Sequence, residues 1–176
     1  MSIVNQSFLA NKINQVSKLK GTFKLRSGVK SNEYFDKYQF ESDPQLLMEI
    51  CKGMVDLIPD NTDYLAAMEM GGIPIATMLS YWTGIPLVFV RKEAKGYGTN
   101  KIVEGPSVEG KRLCIIEDVI TSGGQVVKSV VQMRKELGAI VEMVICVIDR
   151  QEGGRENLLQ CGLYFQPLFT KEDLSK

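Results

Sequence analysis

The chain contains no histidine. A histidine triad, a histidine-ligated metal and a histidine general base are therefore excluded. Catalysis would have to run on carboxylates, lysine, arginine, tyrosine, backbone amides or a metal carried in by a substrate. An excess of one charge is also missing. The 21 Lys and Arg residues balance the 21 Asp and Glu residues, so nothing points to nucleic acid or an anionic membrane as partner. Long apolar runs are absent: Met143 to Ile148 falls far short of the roughly 20 residues of a membrane span. The opening MSIVNQSFLANKINQ has no basic region followed by an apolar stretch, so no secretory leader is expected. The four cysteines (Cys51, Cys114, Cys146 and Cys161) are widely spaced and form no CxxC pair. They are expected to be reduced thiols in a cytoplasmic protein.

What is present is a regular alternation over 176 residues, enough for one domain with a real core. Leu9, Ile13 and Val16 give helical spacing from Asn5 to Lys20, with Gly21 as a stop. Thr22–Leu25 and Tyr34–Asp36 read as an extended pair around Ser27-Gly28. Asp43 and Pro44 are a cap and a first helical residue, and Leu47, Ile50, Met54 and Leu57 are the stripe of a helix that Pro59 ends. Strands are expected at Tyr64–Ala67, Pro86–Val90, Arg112–Glu117, Ile140–Ile148 and Leu163–Phe169. Helices are expected at Ile73–Trp82, Gln125–Leu137 and Gln151–Gln160. In the second of these, Val126, Val127, Val130, Val131 and Leu137 are expected to face inward. Arg91 to Pro106 is a polar stretch with Gly96, Gly98 and Gly105. The pattern predicts an α/β fold, a central mostly parallel sheet flanked by helices. Ligands of such sheets sit beyond the carboxyl ends of the strands.

The segment Leu113 to Gln125 carries the chemistry. An apolar strand ends in Glu117 and Asp118, a loop of Thr121, Ser122, Gly123 and Gly124 follows, and a helix starts. Amides at a helix N-terminus, approachable through glycine, cradle an anion. Two acids repel a phosphate but suit hydroxyl groups, so a ribose phosphate satisfies both halves. The plain alternative is a strand end followed by a tight turn. No Gly-Lys-Thr or Gly-Lys-Ser follows the glycines, which argues against a Walker loop.

Ile115 to Gln125 resembles the phosphoribosyl-diphosphate signature of type I phosphoribosyltransferases. Three further segments resemble orotate phosphoribosyltransferases in order and spacing. They are Phe23 to Ser31 (N-terminal signature), Arg91 to Thr99 (mobile catalytic loop) and Asp149 to Arg155 (base-binding segment). The resemblance implies one phosphoribosyltransferase domain over 1–176, with an N-terminal hood at about 1–40 and a core at about 41–170. It implies transfer of a phosphoribosyl group to orotate, with Mg²⁺ as cofactor. Glu117 and Asp118 would hold the ribose hydroxyls. Val119, Ile120, Thr121, Ser122, Gly123, Gly124 and Gln125 would complete the phosphate side. Arg26, Arg91, Lys92, Lys95 and Tyr97 would meet the diphosphate, with Lys95 and Asp118 as the catalytic pair. Tyr34, Phe35, Thr121 and Arg155 would bind orotate, although one of the two adjacent aromatics is expected in the core. The ion would be held mainly by the substrate, with Glu117 and Asp118 helping directly or through water. Loop 91–105 would reach the neighbouring active site of a homodimer.

Departures from the family pattern are Glu117 for a usual Asp, Arg26 for a common Lys, and Tyr97 where many relatives carry His. Two other readings stand beside this one. The first is a phosphoribosyltransferase for another base. The second is a regulator that senses the donor without catalysis, against which the Arg91-Lys92-Lys95 cluster and zero net charge argue.

Overall fold

The computed structural model describes residues 6–24, 28, 30–93 and 102–175. It opens with helix α1 (Gln6–Ser17), strands β1 (Lys18–Lys24) and β2 (Lys30–Phe35), and helices α2 (Tyr38–Ser42) and α3 (Pro44–Met54). Then come β3 (Tyr64–Met68), α4 (Gly72–Thr83), β4 (Leu87–Val90) and β5 (Val103–Glu104). The rest is β6 (Arg112–Ile120), α5 (Gly124–Leu137), β7 (Ile140–Asp149), α6 (Gly154–Gln160) and β8 (Tyr164–Thr170). Among the described residues no helix is long and apolar enough to cross a membrane.

Six strands form one sheet in the order β5-β4-β3-β6-β7-β8, and β1 pairs with β2 apart from it. All neighbours in the large sheet run parallel except β5, which lies antiparallel on the edge beside β4. The central strands are apolar because helices cover both faces. On one face Leu65, Ala67, Cys114, Ile116 and Ile145 pack with Ile13, Phe40, Ile50 and Leu79 from α1 to α4. On the other, Ala66, Ile115, Val144 and Cys146 pack with Val126, Val130 and Met133 of α5 and Leu158 of α6. Each such fully buried aliphatic side chain contributes about 1.5–3 kcal/mol. From β3 the chain moves outward to β4 and then returns past β3 to β6. This reversal opens a crevice at the carboxyl ends of β3 and β6.

Local signals account for most boundaries. Asp43 caps α3, its Oδ1 accepting from the amides of Gln45 and Leu46 at 3.0 Å each, with Pro44 at the first position. Elsewhere the structure departs from the expected boundaries. α1 stops at Ser17 rather than Lys20, because Lys18 to Lys20 pair with Phe35 to Glu33. Gly21 sits at the irregularity in that ladder rather than at a helix end. The α3 helix ends at Met54, and Leu57 lies in a following turn of 3₁₀ helix. Strand β6 runs to Ile120, beyond the two acids, because Val119 and Ile120 stay in register with Ile148 and Asp149. On α5, Val131 is exposed and Met133 takes the inward place. The short elements α2 and β5 have no periodic signature long enough to read from sequence.

Candidate active site

A cavity of about 640 Å³ lies between β2 and the carboxyl ends of β6 and β7, with Tyr34, Phe35, Lys37, Val119, Thr121 and Arg150 in its wall. Tyr34 projects outward and meets the ring of Phe23, with centroids 5.5 Å apart. Phe35 packs partly into the core while still facing the cavity, and the Arg150 guanidinium lies 5.5 Å from its ring centre. A flat acceptor thus finds an aromatic wall and a fork of donors side by side.

Thr121 to Gly124 link β6 to α5. Gly123 adopts φ +70°, the left-handed region that favours glycine, and no side chain among the described residues caps the helix behind it. The uncapped amides of the first turn suit an anion. Helix α6 braces this loop: Asn157 Nδ2 donates to Ser122 O at 2.9 Å. Gly154 lies so close that a Cβ there would stand 2.4 Å from Thr121 O. Gln125 does not turn toward the loop. Its Nε2 donates to Lys92 O at 3.1 Å and to Ser129 Oγ at 3.2 Å. The Lys92 amide in turn donates to Glu69 Oε1 at 2.7 Å, so the turn after β3 and the segment after β4 are tied together. Arg91 Nε is buried and has no hydrogen-bond partner among the described residues.

The two acids differ. Asp118 is fully buried, and its Oδ1 accepts from the Val119 amide at 2.5 Å. Its Oδ2 lies 2.5 Å from Lys37 Nζ. Beside it, Gly71 leaves room that any side chain would fill, since a Cβ there would stand 1.5 Å from Asp118 Oδ2. A cis peptide joins Glu69 and Met70 just before this point. Glu117 accepts from the Asp118 amide at 3.2 Å. Burial, then the nearby Asp118 charge, push the Glu117 carboxyl up to about 8, against the pull of Lys37, the Asp118 amide and Lys92. Glu41 of α2 completes the group. Burial, then its hydrogen bond to Asp118 and that residue's charge, push its carboxyl up to about 9. Three acids therefore surround one lysine, and at neutral pH two of them favour the protonated form.

The structure brings Tyr34, Phe35 and Thr121 into one cavity, with Glu117, Asp118 and the 121–124 loop beside it. It does not bring Arg155 there. Arg155 Nη1 donates to Phe165 O at 3.3 Å, Nη2 is 3.8 Å from Asp149 Oδ2, and the guanidinium lies over the Phe165 ring. Arg150 occupies the cavity instead. Its position directly after the apolar run of β7 was the available signal. Lys37 and Glu41 carried no motif. Arg26, Lys95 and Tyr97 lie outside the described residues.

A family profile described as the phosphoribosyl transferase domain matches residues 39–159. The orotate phosphoribosyltransferase of a Nocardioides species is 51% identical over 166 residues, covering 94% of this chain and 92% of the relative. The solved orotate phosphoribosyltransferase of Mycobacterium tuberculosis superposes with a TM-score of 0.84 at 27% identity, covering 97% of this chain and 99% of that one. A second structure of the Mycobacterium tuberculosis enzyme, in complex with 5-phospho-α-D-ribosyl 1-diphosphate, superposes with a TM-score of 0.81 at 25% identity, covering 97% and 99%.

Proposed function

We propose, from the premise that the chain belongs to the orotate phosphoribosyltransferase family, that it transfers the 5-phosphoribosyl group of phosphoribosyl diphosphate to orotate. The products are orotidine 5'-monophosphate and diphosphate, on the route to pyrimidine nucleotides. A ring nitrogen of orotate forms the new bond to the ribose carbon and gives up its proton, while the bond from that carbon to the diphosphate oxygen breaks and the departing diphosphate takes up the proton. The observation that carries the reading is the juxtaposition of the aromatic and Arg150-lined cavity with the uncapped N-terminus of α5 and the buried Asp118. The departing diphosphate is basic enough to take up the proton of the ring nitrogen, so no strong protein base is required. The protein's task is to align two reactants and neutralise the departing diphosphate.

In this reading Thr121 to Gly124 hold the 5-phosphate, and Val119 and Ile120 fix that loop to the sheet. Glu117 and Asp118 receive the ribose hydroxyls. Tyr34, Phe35 and Arg150 hold the base, with Thr121 at its edge. Arg91, Lys92 and, outside the described residues, Arg26, Lys95 and Tyr97 face the diphosphate, with Lys95 as the principal cation. Arg155 serves by bracing Asp149 and β8 rather than by touching the base. Mg²⁺ would neutralise diphosphate oxygens as the bond to the ribose breaks. Among the described residues no group of three or more His, Cys, Asp or Glu side chains is placed to hold a metal ion. The ligands of Mg²⁺ would come chiefly from the donor's own oxygens, aided by Glu117 and Asp118. The whole chain would act as one cytoplasmic unit, the segment of about 1–40 covering the core of about 41–170. It would pair as a homodimer in which loop 91–105 reaches the neighbouring site.

The test is to mix the purified protein with orotate, phosphoribosyl diphosphate and Mg²⁺ and follow the loss of orotate absorbance, with uracil and hypoxanthine as control bases. Mg²⁺-dependent turnover of orotate alone supports the reading. Turnover of another base keeps the donor site and discards the acceptor assignment. Donor binding without turnover of any base leaves a sensing regulator.

A further inference from the structure

Lys37 belongs to two environments at once. Its side chain is part of the cavity wall beside Tyr34, Phe35 and Arg150, yet its Nζ reaches Asp118 Oδ2 at 2.5 Å. The cavity's other paired cations are matched differently. Lys18 pairs with Glu33 at 2.9 Å, and Arg150 Nε stands 3.6 Å from Glu152, both acids at least half exposed at the rim. Neither substrate claims those rim acids in the proposed reaction. Asp118 is claimed, because it is to receive the ribose hydroxyls.

The geometry leaves a hydroxyl little choice of approach. Asp118 Oδ1 is occupied by the Val119 amide, Oδ2 has the Gly71 backbone close on one side and the Lys37 ammonium at 2.5 Å, and the buried Glu41 carboxyl bonds the same aspartate. The backbone cannot yield and the Glu41 side chain is buried, but the partly exposed lysine head on its four-carbon stem can move. A hydroxyl that takes Oδ2 displaces the ammonium, and the open direction for the displaced head is the cavity its side chain already lines. There it adds a positive charge where the acceptor sits. A neutral base gains little from that charge, whereas an anionic base gains a charge-assisted hydrogen bond.

We infer that Lys37 is a specificity-determining residue for the acceptor: the donor's ribose hydroxyls displace its ammonium from Asp118, and it then meets the carboxylate of the base. The inference rests on the proposed orotate reaction. It makes the two substrates help one another, and by linkage the gain is the same whichever binds first.

The test uses ribose 5-phosphate, which carries the hydroxyls and the phosphate but has no diphosphate to lose. Orotate and uracil are titrated calorimetrically into the protein with and without saturating ribose 5-phosphate. In the wild type, orotate is expected to tighten about tenfold while uracil tightens less than about twofold. Equal gains for both bases would overturn the inference without any variant. In Lys37→Met, checked for its melting temperature, the orotate gain is expected to vanish, and Lys37→Arg is expected to restore part of it. A Lys37→Met protein that keeps the full gain, or that only binds ribose 5-phosphate more weakly, shows that Lys37 merely positions Asp118 and refutes the inference. A wild type that binds no orotate under any condition fails at an earlier step. It overturns the proposed function, and this inference with it.

Discussion

Gly71 and Gly72 are neighbours in sequence, and replacing each by alanine is expected to break different things. Gly71 has φ −68° and ψ −27°, a helical conformation that alanine adopts freely. The backbone cost of Gly71→Ala is thus nil, and loss of unfolded-state freedom alone would favour the variant by about 0.4–1 kcal/mol. The new methyl carbon, however, would stand 1.5 Å from Asp118 Oδ2 and 2.2 Å from its Cγ. Ordinary contact begins near 3.4 Å, so the carboxylate must retreat by roughly 2 Å. That retreat pulls it from Lys37 and from the place where the ribose hydroxyls are to bind. A misplacement of about 1 Å in a catalytic constellation can cost about a hundredfold. Gly71→Ala is therefore expected to lower kcat/KM by about a hundredfold or more, with a raised KM for phosphoribosyl diphosphate. At Gly72 the clash is with a main-chain atom, Ile116 O at 2.2 Å, in the middle of the sheet. Neither partner can swing away, so Gly72→Ala is expected to lose stability first, by about 1–3 kcal/mol or more. Steady-state kinetics on the orotate assay and thermal melts separate the two. A Gly71→Ala enzyme within about threefold of wild-type kcat/KM would refute the claim that Asp118's position governs donor binding.

Other outcomes follow from the same contacts. Glu41 and Glu117, raised to about 9 and about 8 from 4.5, keep protons that the unfolded chain releases. Their contribution is therefore full at low pH, and stability declines as pH rises from about 5 to about 9. Glu41→Gln should flatten that decline and be the more stable protein near pH 9 by roughly 1–2 kcal/mol in denaturant titrations; an unchanged slope removes the assignment. Asp118→Asn should weaken binding of the donor measured by calorimetry, and normal affinity would count against its contact with ribose. Lys95→Ala should reduce turnover by about a hundredfold or more in a protein that still melts cooperatively, and unchanged turnover removes its role. Arg134 donates to Val141 O at 3.1 Å, Cys161 O at 2.7 Å and Gly162 O at 3.3 Å, far from the cavity. Arg134→Met should lose about 2–4 kcal/mol of stability, visible as a lower denaturant midpoint, and an unchanged midpoint would show that these bonds are redundant.

The central sheet was legible because its strands are short apolar runs bounded by turn residues, as in Leu113–Ile116 and Met143–Ile148. The connection at Thr121–Gly124 was legible because small residues and glycines stand between an apolar strand and a helical pattern. Boundaries set by tertiary pairing were not. The helical spacing up to Val16 gave no warning that Lys18 would turn into a strand against Phe35. Arg155 and Arg150 are both cations of the segment Asp149 to Arg155. Only the turn through Gln151 and Gly153, both at positive φ, decides which faces the cavity. Lys37 and Glu41 escaped for a related reason. Their chemistry comes from a carboxylate 77 or more residues away along the chain, which no local spacing records.

The most direct test of the account is product identification with balanced stoichiometry. Orotate and phosphoribosyl diphosphate are incubated with the protein and Mg²⁺, and the products are resolved by mass spectrometry and a diphosphate assay. Orotidine 5'-monophosphate and diphosphate are expected in equal amounts, and neither when Mg²⁺ is chelated. Diphosphate released without the nucleotide, or no consumption of orotate by a folded, donor-binding protein, would contradict it.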